Sequence, residues 1–244
     1  MRILHLSDLH LCPSPDAIIY GVNPYDNLMR AIRMIQNLAG IDLCVITGDI
    51  SNDGSKESYE LADKALSDLP FPVYVLKGNH DSSRLFLHHY VKMNYVPRFT
   101  FLGFDFIALD TVAVAEDGTN RSRGFISEQE MLRFKDWIRE GRSRKIVLMH
   151  HPATETGSWL DKRILENRRA LMNCISSSDR VMAVLSGHNH QATCERIGNC
   201  LFCTAPSVST SFDKDLKPFE EAHHSGFNVL SINNGICSVK TIEI

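Results

Sequence analysis

The stretch that decides the fold class stands at the start of the chain, where residues 1–10 read MRILHLSDLH. Arg2 to Leu6 form a short apolar run, which favours a buried strand. Asp8 and His10 follow this run directly. Polar groups just past the carboxyl end of a buried strand are typical of ligand sites in open α/β sheets. The opening residues therefore predict a sheet that carries a site at its strand ends.

Similar apolar runs recur along the chain and predict the remaining elements. Buried strands are expected at 42–47, 72–76, 104–109, 145–149 and 181–185. Helices are expected from Pro24 to about Leu38, from Ser55 to about Leu69 and from Ser127, where Ser127-Glu128-Gln129-Glu130 has the form of a capping box. After His190, short strands are expected at 192–197, 200–204, 227–233 and 236–243, with a hairpin turn at Asn233-Asn234-Gly235. Strands that alternate with helices predict an α/β architecture.

Composition narrows the class of protein. The 244 residues, 43% of them hydrophobic, fit one domain over residues 1–244 with a substantial core. The net charge is −3 and the 26 basic residues form no basic stripe, so no stable nucleic-acid partner is expected. Without a recognisable signal peptide or a membrane span of roughly eighteen apolar residues, a soluble, cytoplasmic protein is expected. The seven cysteines, including Cys200 and Cys203, are expected to be reduced structural thiols.

Chemically active side chains recur at the predicted strand ends: Asp8, His10, Asp49, Asn79, His80, His150, His151, His188 and His190. Each of them alone is most simply a core histidine or a surface carboxylate. Together they form a set of Asp and neutral His side chains that suits borderline divalent metals. In Asp8-x-His10 and His188-x-His190, alternate positions of an extended segment point to one side, so both members can reach one site. Glycines at 48, 78 and 187 are expected to permit backbone turns that bulkier residues resist.

The number of candidate ligands indicates two metal ions. Even without His80 and His151, the candidates exceed the four ligands of a single zinc ion. In two-metal hydrolases, the ions lie about 3.5–4 Å apart, activate a water and hold the attacking and leaving oxygens of an in-line displacement. A carboxylate that bridges both ions would hold them at this separation.

The order of these blocks resembles that of the calcineurin-like metallophosphoesterase superfamily. The resemblance is carried by Asp8-x-His10, Gly48-Asp49, Gly78-Asn79-His80-Asp81, His150 and Gly187-His188-x-His190. Within the superfamily, the chain is similar to bacterial cyclic nucleotide phosphodiesterases of the cyclic-AMP type and to bacterial glycerophosphodiesterases, through His150-His151-Pro152 and Gly-His-Asn-His. Ala205-Pro206-Ser207, followed by Gly226-Phe227, favours the cyclic nucleotide group. The resemblance implies a four-layer αββα sandwich of two mixed β-sheets flanked by helices.

The resemblance also implies a role for each residue. Asp8, His10 and His190 would bind the first metal, Asn79, His150 and His188 the second, and Asp49 would bridge them. His80 would stabilise transition-state charge or protonate the leaving alkoxide. The two ions could be manganese, iron, zinc or cobalt, since mixed nitrogen and oxygen sites accept all four. Relatives of this kind also imply a homodimer.

The substrate is the least determined part of the hypothesis. A 3′,5′-cyclic nucleotide is expected first, with a glycerophosphodiester, a 2′,3′-cyclic nucleotide or a range of phosphomonoesters as alternatives. A nuclease and a non-enzymatic metal-binding scaffold for protein interactions are further alternatives. The chain lacks the Gly-Asp-x-Val-Asp-Arg-Gly and Gly-Asn-His-Glu blocks of protein serine/threonine phosphatases. Candidate substrate-binding residues are Asn52, His151 and His223. Loops 12–23, 81–98, 112–124, 153–165 and 207–225 are expected to select the leaving group.

Overall fold

The structure is a computed structural model that describes residues 1–86, 90–114, 118–212, 221–222 and 224–244. Its strands are β1 (Arg2–Leu6), β2 (Leu43–Ile46), β3 (Val73–Val75), β4 (Met93–Asn94), β5 (Arg98–Phe101), β6 (Phe104–Leu109), β7 (Arg144–Met149), β8 (Val181–Ser186), β9 (Thr193–Ile197), β10 (Cys200–Thr204), β11 (Ser211–Phe212), β12 (Glu221–Ala222), β13 (Gly226–Asn233) and β14 (Ile236–Glu243). Its helices are α1 (Pro24–Gln36), α2 (Lys56–Leu66), α3 (Glu128–Arg139) and α4 (Arg168–Ser176), with a 3-10 helix at Trp159–Arg163.

Over the described residues, the strands form two mixed six-stranded sheets and one short ladder of β11 with β12. Sheet A has the order β14-β13-β1-β2-β3-β4, and sheet B has the order β5-β6-β7-β8-β10-β9. The pairs β1–β2, β2–β3, β6–β7 and β7–β8 are parallel, whereas β13 and β14 run antiparallel at one side of sheet A. The carboxyl ends of β1, β2 and β3 therefore share one edge of sheet A, and those of β7 and β8 share one edge of sheet B.

Alternation of side chains along the strands builds four layers. In β1, Ile3 belongs to the core between the sheets, whereas Leu4 faces the core beneath α1 and α2. In β7, Ile146 faces the core between the sheets and Val147 faces the core beneath α3 and α4. Because successive side chains of a strand point to opposite faces, each central strand is buried on both sides. The predicted αββα sandwich of two mixed sheets is confirmed.

The helix starts follow the sequence signals more closely than the helix ends. Asn23 caps α1 by accepting a hydrogen bond from the Asp26 backbone N–H, and Pro24 occupies the first turn. Helix α1 ends at Gln36 and α2 at Leu66, earlier than expected. For α2, Pro70 disfavours helical backbone at Leu69, the expected last residue of the helix. Helix α4 was not predicted.

The capping box at α3 is only half formed. The Ser127 hydroxyl accepts a hydrogen bond from the Glu130 backbone N–H at 3.1 Å, as expected. The Glu130 carboxylate does not return to Ser127. Instead it accepts hydrogen bonds from the Arg133 guanidinium and from the Asp110 backbone N–H. The opposite charge one turn along the helix is therefore the preferred partner of this carboxylate.

The strands and the C-terminal hairpin agree with the sequence expectations. The predicted strands correspond to β1, β2, β3, β6, β7, β8, β9, β10, β13 and β14 within two residues at either end. Asn234 and Gly235 have positive φ and form the β13–β14 turn, which confirms the expected hairpin. Cys200 and Cys203 are buried free thiols. In the described part of the chain, no helix is both long and apolar enough to cross a membrane.

Candidate metal centre

The loops that follow β1, β2, β3, β7 and β8 bring together all the residues predicted to bind metal: Asp8, His10, Asp49, Asn79, His150, His188 and His190. Asp8 and His150 are fully buried, and His10, Asp49, His188 and His190 are at most 7% exposed. Sheet A supplies the residues before His150, and sheet B supplies the rest. The site therefore lies where the carboxyl edges of the two sheets meet.

The first cluster consists of Asp8, His10 and His190. His10 Nε2 lies 3.1 Å from His190 Nε2. The Asp8 carboxylate Oδ1 lies 3.4 Å from His190 Nε2 and 3.9 Å from His10 Nε2. One carboxylate oxygen and two ring nitrogens thus converge on a space that one cation could occupy.

The second cluster is centred on His150. Its Nε2 lies 3.2 Å from Asn79 Oδ1 and 3.3 Å from His188 Nδ1. Asp49 Oδ2 lies 3.3 Å from this nitrogen and 3.7 Å from His10 Nε2. Asp49 is therefore the carboxylate that faces both clusters.

Hydrogen bonds behind the rings fix the nitrogens that point inward. His190 Nδ1 donates to the Thr210 carbonyl at 2.6 Å, and His150 Nδ1 donates to the Thr47 carbonyl at 2.8 Å. Because a carbonyl can only accept, the Nδ1 proton of each ring points away from the site, and Nε2 is the nitrogen that faces it and can bind a cation when the ring is neutral. Asp8 Oδ1 is buried and accepts no hydrogen bond from any described residue. Converging lone pairs with an unsatisfied buried carboxylate oxygen fit divalent cations well.

Burial and charge set the protonation of the site in the absence of metal. Burial lowers the pKa of His10 to about 3 and holds that of His188 well below its usual range. Burial by itself lowers the pKa of His150. The negative charge of Asp49 and the hydrogen bond between the two side chains outweigh burial, and they raise this pKa to about 9. The same pairing holds the Asp49 pKa well below its usual range, against the effect of burial. The rings of His10 and His188 are thus neutral and available to a cation, whereas His150 must lose a proton first.

The loops reach the site through left-handed backbone conformations. Positive φ angles between 47° and 71° occur at Asp8, His10, Asp49, His188 and His190. The expectation that both Asp-x-His and His-x-His segments are extended is therefore wrong, although Asp8 and His10 do reach one cluster. His188 and His190 separate, because His188 lies against His150 and His190 lies against Asp8. Non-glycine residues adopt such backbone at a cost of about 1–3 kcal/mol each, typically at functional sites.

The three glycines serve two different purposes. Gly48 has a φ of 99°, so it does permit the expected turn. Gly78 and Gly187 have no such φ, and the turn explanation is wrong for them. A Cβ at Gly78 would overlap the Asp49 carboxylate, and one at Gly187 would overlap Ser7 Oγ and the Asp8 carboxylate. These two positions need glycine because the strand-end loops pack directly on one another.

His80 lies at the open side of the site. Its backbone N–H donates to Asp49 Oδ1 at 2.8 Å, and its ring Nδ1 donates to the Asn52 backbone carbonyl at 2.9 Å. Asn52 therefore orients the His80 ring through its backbone carbonyl. The sequence could not indicate this contact, because every residue type has a backbone carbonyl. The Asn52 and His80 side chains both line the pocket over the metal centre.

The other candidate substrate residues lie elsewhere. His151 is fully buried, with Nδ1 hydrogen-bonded to Thr111 Oγ1 at 2.8 Å and its ring 4.4 Å from that of His188. This position favours support of the centre over contact with substrate. His223 lies outside the described residues. The neighbouring His224 is exposed and lines a second cleft, which shares His190 and Phe212 with the pocket over the metal centre.

Sequence reasoning missed two groups of residues. The buried Asp81 carboxylate accepts hydrogen bonds from the Ser51 and Gly78 backbone N–H groups and from the Tyr59 hydroxyl. This carboxylate thereby joins the loops after β2 and β3. Aromatic and basic side chains from the predicted specificity loops also line the pocket: Tyr20, Trp159, Arg163 and Phe212. The loops were identified by position, but no motif singled out these side chains. Ser122 also lines the pocket, whereas no described residue of 81–98 does.

The αββα fold and the paired carboxylate and imidazole clusters define a binuclear metal-dependent phosphoesterase. Residues 1–192 match the family of calcineurin-like phosphoesterases, and the chain belongs to that family. The family resemblance deduced from the strand-end motifs is confirmed.

Individual relatives extend over nearly the whole chain. A probable cyclic nucleotide phosphodiesterase of Xenorhabdus bovienii is 28% identical over 96% of both chains. A 3′,5′-cyclic-nucleotide phosphodiesterase of Nostoc is 26% identical over 95% of this chain and 88% of its own. A dimetal phosphatase from Danio rerio superposes with a TM-score of 0.68, with 16% identity over 99% of this chain and 98% of its own. The last similarity concerns the fold alone.

Proposed function

We propose that this enzyme is a phosphodiesterase that hydrolyses a small diester, a 3′,5′-cyclic nucleotide, in a single domain over residues 1–244. The observation that carries the proposal is the Asp49 carboxylate, which faces both ligand clusters and so suits a bridge between two ions. The nucleotide assignment is supported by near full-length similarity to proteins named cyclic nucleotide phosphodiesterases. The single domain is supported by β1, which pairs with β2 on one side and with β13 on the other.

Each cluster would hold one ion. Asp8, His10 and His190 would bind the first, and Asn79, His150 and His188 the second, in agreement with the distances above. Manganese, iron, zinc and cobalt all suit this mixture of nitrogen and oxygen ligands. When bound, the ions supply Lewis-acid polarisation of the phosphoryl oxygens and a water of lowered pKa.

His80 would complete the reaction on the solvent side. Water adds to phosphorus, the ester bond breaks, and the leaving alkoxide needs a proton. With Nδ1–H donated to the Asn52 carbonyl, the protonated ring can deliver the Nε2 proton to that alkoxide. The hydrogen bond from the His80 backbone N–H to the Asp49 carboxylate keeps the ring beside the clusters.

The test is a comparison of substrates on protein stripped of metal and reloaded with Mn²⁺. kcat/KM would be measured for 3′,5′-cyclic AMP, 2′,3′-cyclic AMP, a glycerophosphodiester, bis(p-nitrophenyl) phosphate and p-nitrophenyl phosphate. We expect 3′,5′-cyclic AMP to exceed the other natural diesters and the monoester to be poor. A preference for glycerophosphodiester or monoester would replace the nucleotide assignment, and no hydrolysis of any ester would favour the scaffold.

A further inference from the structure

Three aromatic side chains stand together on one side of the pocket. Tyr20, Trp159 and Phe212, called the aromatic wall here, come from the loop before α1, the start of the 3-10 helix and β11, and all three line the pocket. The Phe212 ring centroid lies 5.6 Å from that of Tyr20 and 5.8 Å from that of Trp159, both in edge-to-face arrangements. Tyr20 is 45% exposed and Trp159 is half-buried, whereas Phe212 is 6% exposed, so the ring surface that the wall presents to the pocket comes mainly from Tyr20 and Trp159.

The wall adjoins the metal centre without an intervening residue. The Phe212 ring stacks on the ring of His190, with centroids 5.0 Å apart and planes at 18°. His190 is one of the proposed ligands of the first metal. A substituent on a phosphoryl group held at the centre would therefore reach the wall directly.

The loop that carries Trp159 is fixed to the loop that carries the metal ligands. The Asp161 carboxylate accepts hydrogen bonds from the backbone N–H groups of Thr156 and Gly157, both at 2.8 Å. The Asn189 side-chain amide, located between His188 and His190, donates to the same carboxylate at 3.4 Å. Because these bonds hold this backbone before a substrate arrives, the part of the wall that Trp159 forms is preorganised.

We infer that the aromatic wall binds the nucleobase of a nucleotide ester by stacking. This inference rests on the proposed phosphodiesterase function and names the part of the substrate that the pocket selects. Every base has a π-face, so stacking selects a planar ring and tolerates both purines and pyrimidines. The Arg163 guanidinium, 5.9 Å from the Trp159 ring centroid, adds a cation beside the wall that suits an anionic ligand. Glycerol esters carry no ring and gain nothing from the wall.

Binding can be measured without turnover. We expect Mn²⁺-loaded protein to bind 5′-AMP about tenfold more tightly than ribose 5-phosphate by calorimetry, since stacking on one aromatic side chain supplies a factor of this order. Trp159→Ala and Phe212→Leu would reduce this preference several-fold, whereas Trp159→Phe and Phe212→Tyr, which keep a ring, would retain it.

Fluorescence locates the bound base. The chain has two tryptophans, and Trp137 is 3% exposed in the core beneath α3. We expect 5′-AMP, but not ribose 5-phosphate, to quench the emission, and Trp159→Phe to abolish this quenching. Quenching that persists in Trp159→Phe would place the base elsewhere and overturn the inference.

A kinetic comparison separates this inference from the proposed function. Thymidine 5′-(p-nitrophenyl phosphate) and methyl p-nitrophenyl phosphate share a leaving group and differ in the nucleoside. In the wild type, kcat/KM should be higher for the thymidine ester than for the methyl ester. We expect Trp159→Ala and Phe212→Leu to lower this ratio, thymidine ester over methyl ester, about tenfold. Equal losses on both esters, with equal affinity for 5′-AMP and ribose 5-phosphate, would overturn the wall as a base site. Preferential binding of 5′-AMP without hydrolysis of any nucleotide ester would uphold the wall and reject the proposed function.

Discussion

Asp49 and His80 are adjacent at the centre but are placed for different tasks. The Asp49 carboxylate faces nitrogens of both clusters and is 2% exposed, whereas His80 is exposed and bonded to a backbone carbonyl. A carboxylate between two cations is needed to hold both of them. A ring on the solvent side can act on substrate without being needed for metal binding.

Substitution of each residue should separate these tasks. We expect Asp49→Ala to lose paired metal and activity together. His80→Ala should keep both metals and lose roughly 10²–10⁴-fold in kcat, the usual contribution of a positioned acid. Metal content would be measured by elemental analysis beside steady-state kinetics. Equal metal loss in the two variants would contradict the role given to His80.

His150 should make metal binding dependent on pH. In metal-free protein its pKa is raised to about 9 by Asp49, so the ring is protonated at neutral pH and must release this proton to bind a cation. Apparent affinity should therefore rise about tenfold per pH unit from pH 7 and level off near pH 9. Calorimetry at pH 7 in two buffers of different ionisation enthalpy would count the proton. Affinity that does not change over this range would show that His150 is already neutral.

The strand-end loops are the elements on which the centre depends, and Gly187 is the clearest test of their packing. A Cβ at this position meets Ser7 Oγ and the Asp8 carboxylate, which the His188 backbone N–H also contacts at 3.0 Å. We expect Gly187→Ala to displace Asp8 and to weaken metal binding at least tenfold while circular dichroism remains that of the wild type. Gly198→Ala places its Cβ in open space, although its φ of 59° strains an alanine there; it is therefore the control for backbone strain without overlap and should bind metal normally. Normal binding by both variants would refute the packing argument.

Among the strands and loops, the features that depend on local sequence pattern were the ones predicted correctly. Short apolar runs predicted the strands, because burial on both faces leaves a continuous apolar run. The motifs at the strand ends predicted the centre, because parallel strands bring their carboxyl ends to one edge. The conformation of the loops was predicted wrongly, since Asp8 and His190 have left-handed backbone, which the local sequence pattern does not indicate. The aromatic wall could not be predicted, because three segments distant in sequence form it.

For the whole molecule, the proposed centre joins the two halves of the sandwich. Asp8, Asp49 and Asn79 follow strands of sheet A, whereas His150, His188 and His190 follow strands of sheet B. The first cluster contains Asp8 from one sheet and His190 from the other, and the second combines Asn79 with His150 and His188. Each ion would therefore link both sheets at the edge where they meet.

This link should appear as a dependence of stability on metal. A cation that binds only the folded chain at 1,000 times its Kd adds about 4 kcal/mol to the free energy of unfolding. For a chain of this size, each kcal/mol corresponds to about 2–4 °C, so chelation should lower Tm by about 8–16 °C.

The comparison is made by calorimetry on Mn²⁺-loaded and EDTA-treated protein, with Asp49→Ala as the matched control. In the variant, the difference between the two conditions should largely disappear, because the carboxylate that faces both clusters is gone. A shift of equal size in the variant would mean that the ion stabilises the chain at another site. The same Tm in wild-type protein with and without metal would mean that the two sheets are held together by the apolar core between them alone, through residues such as Ile3 and Ile146.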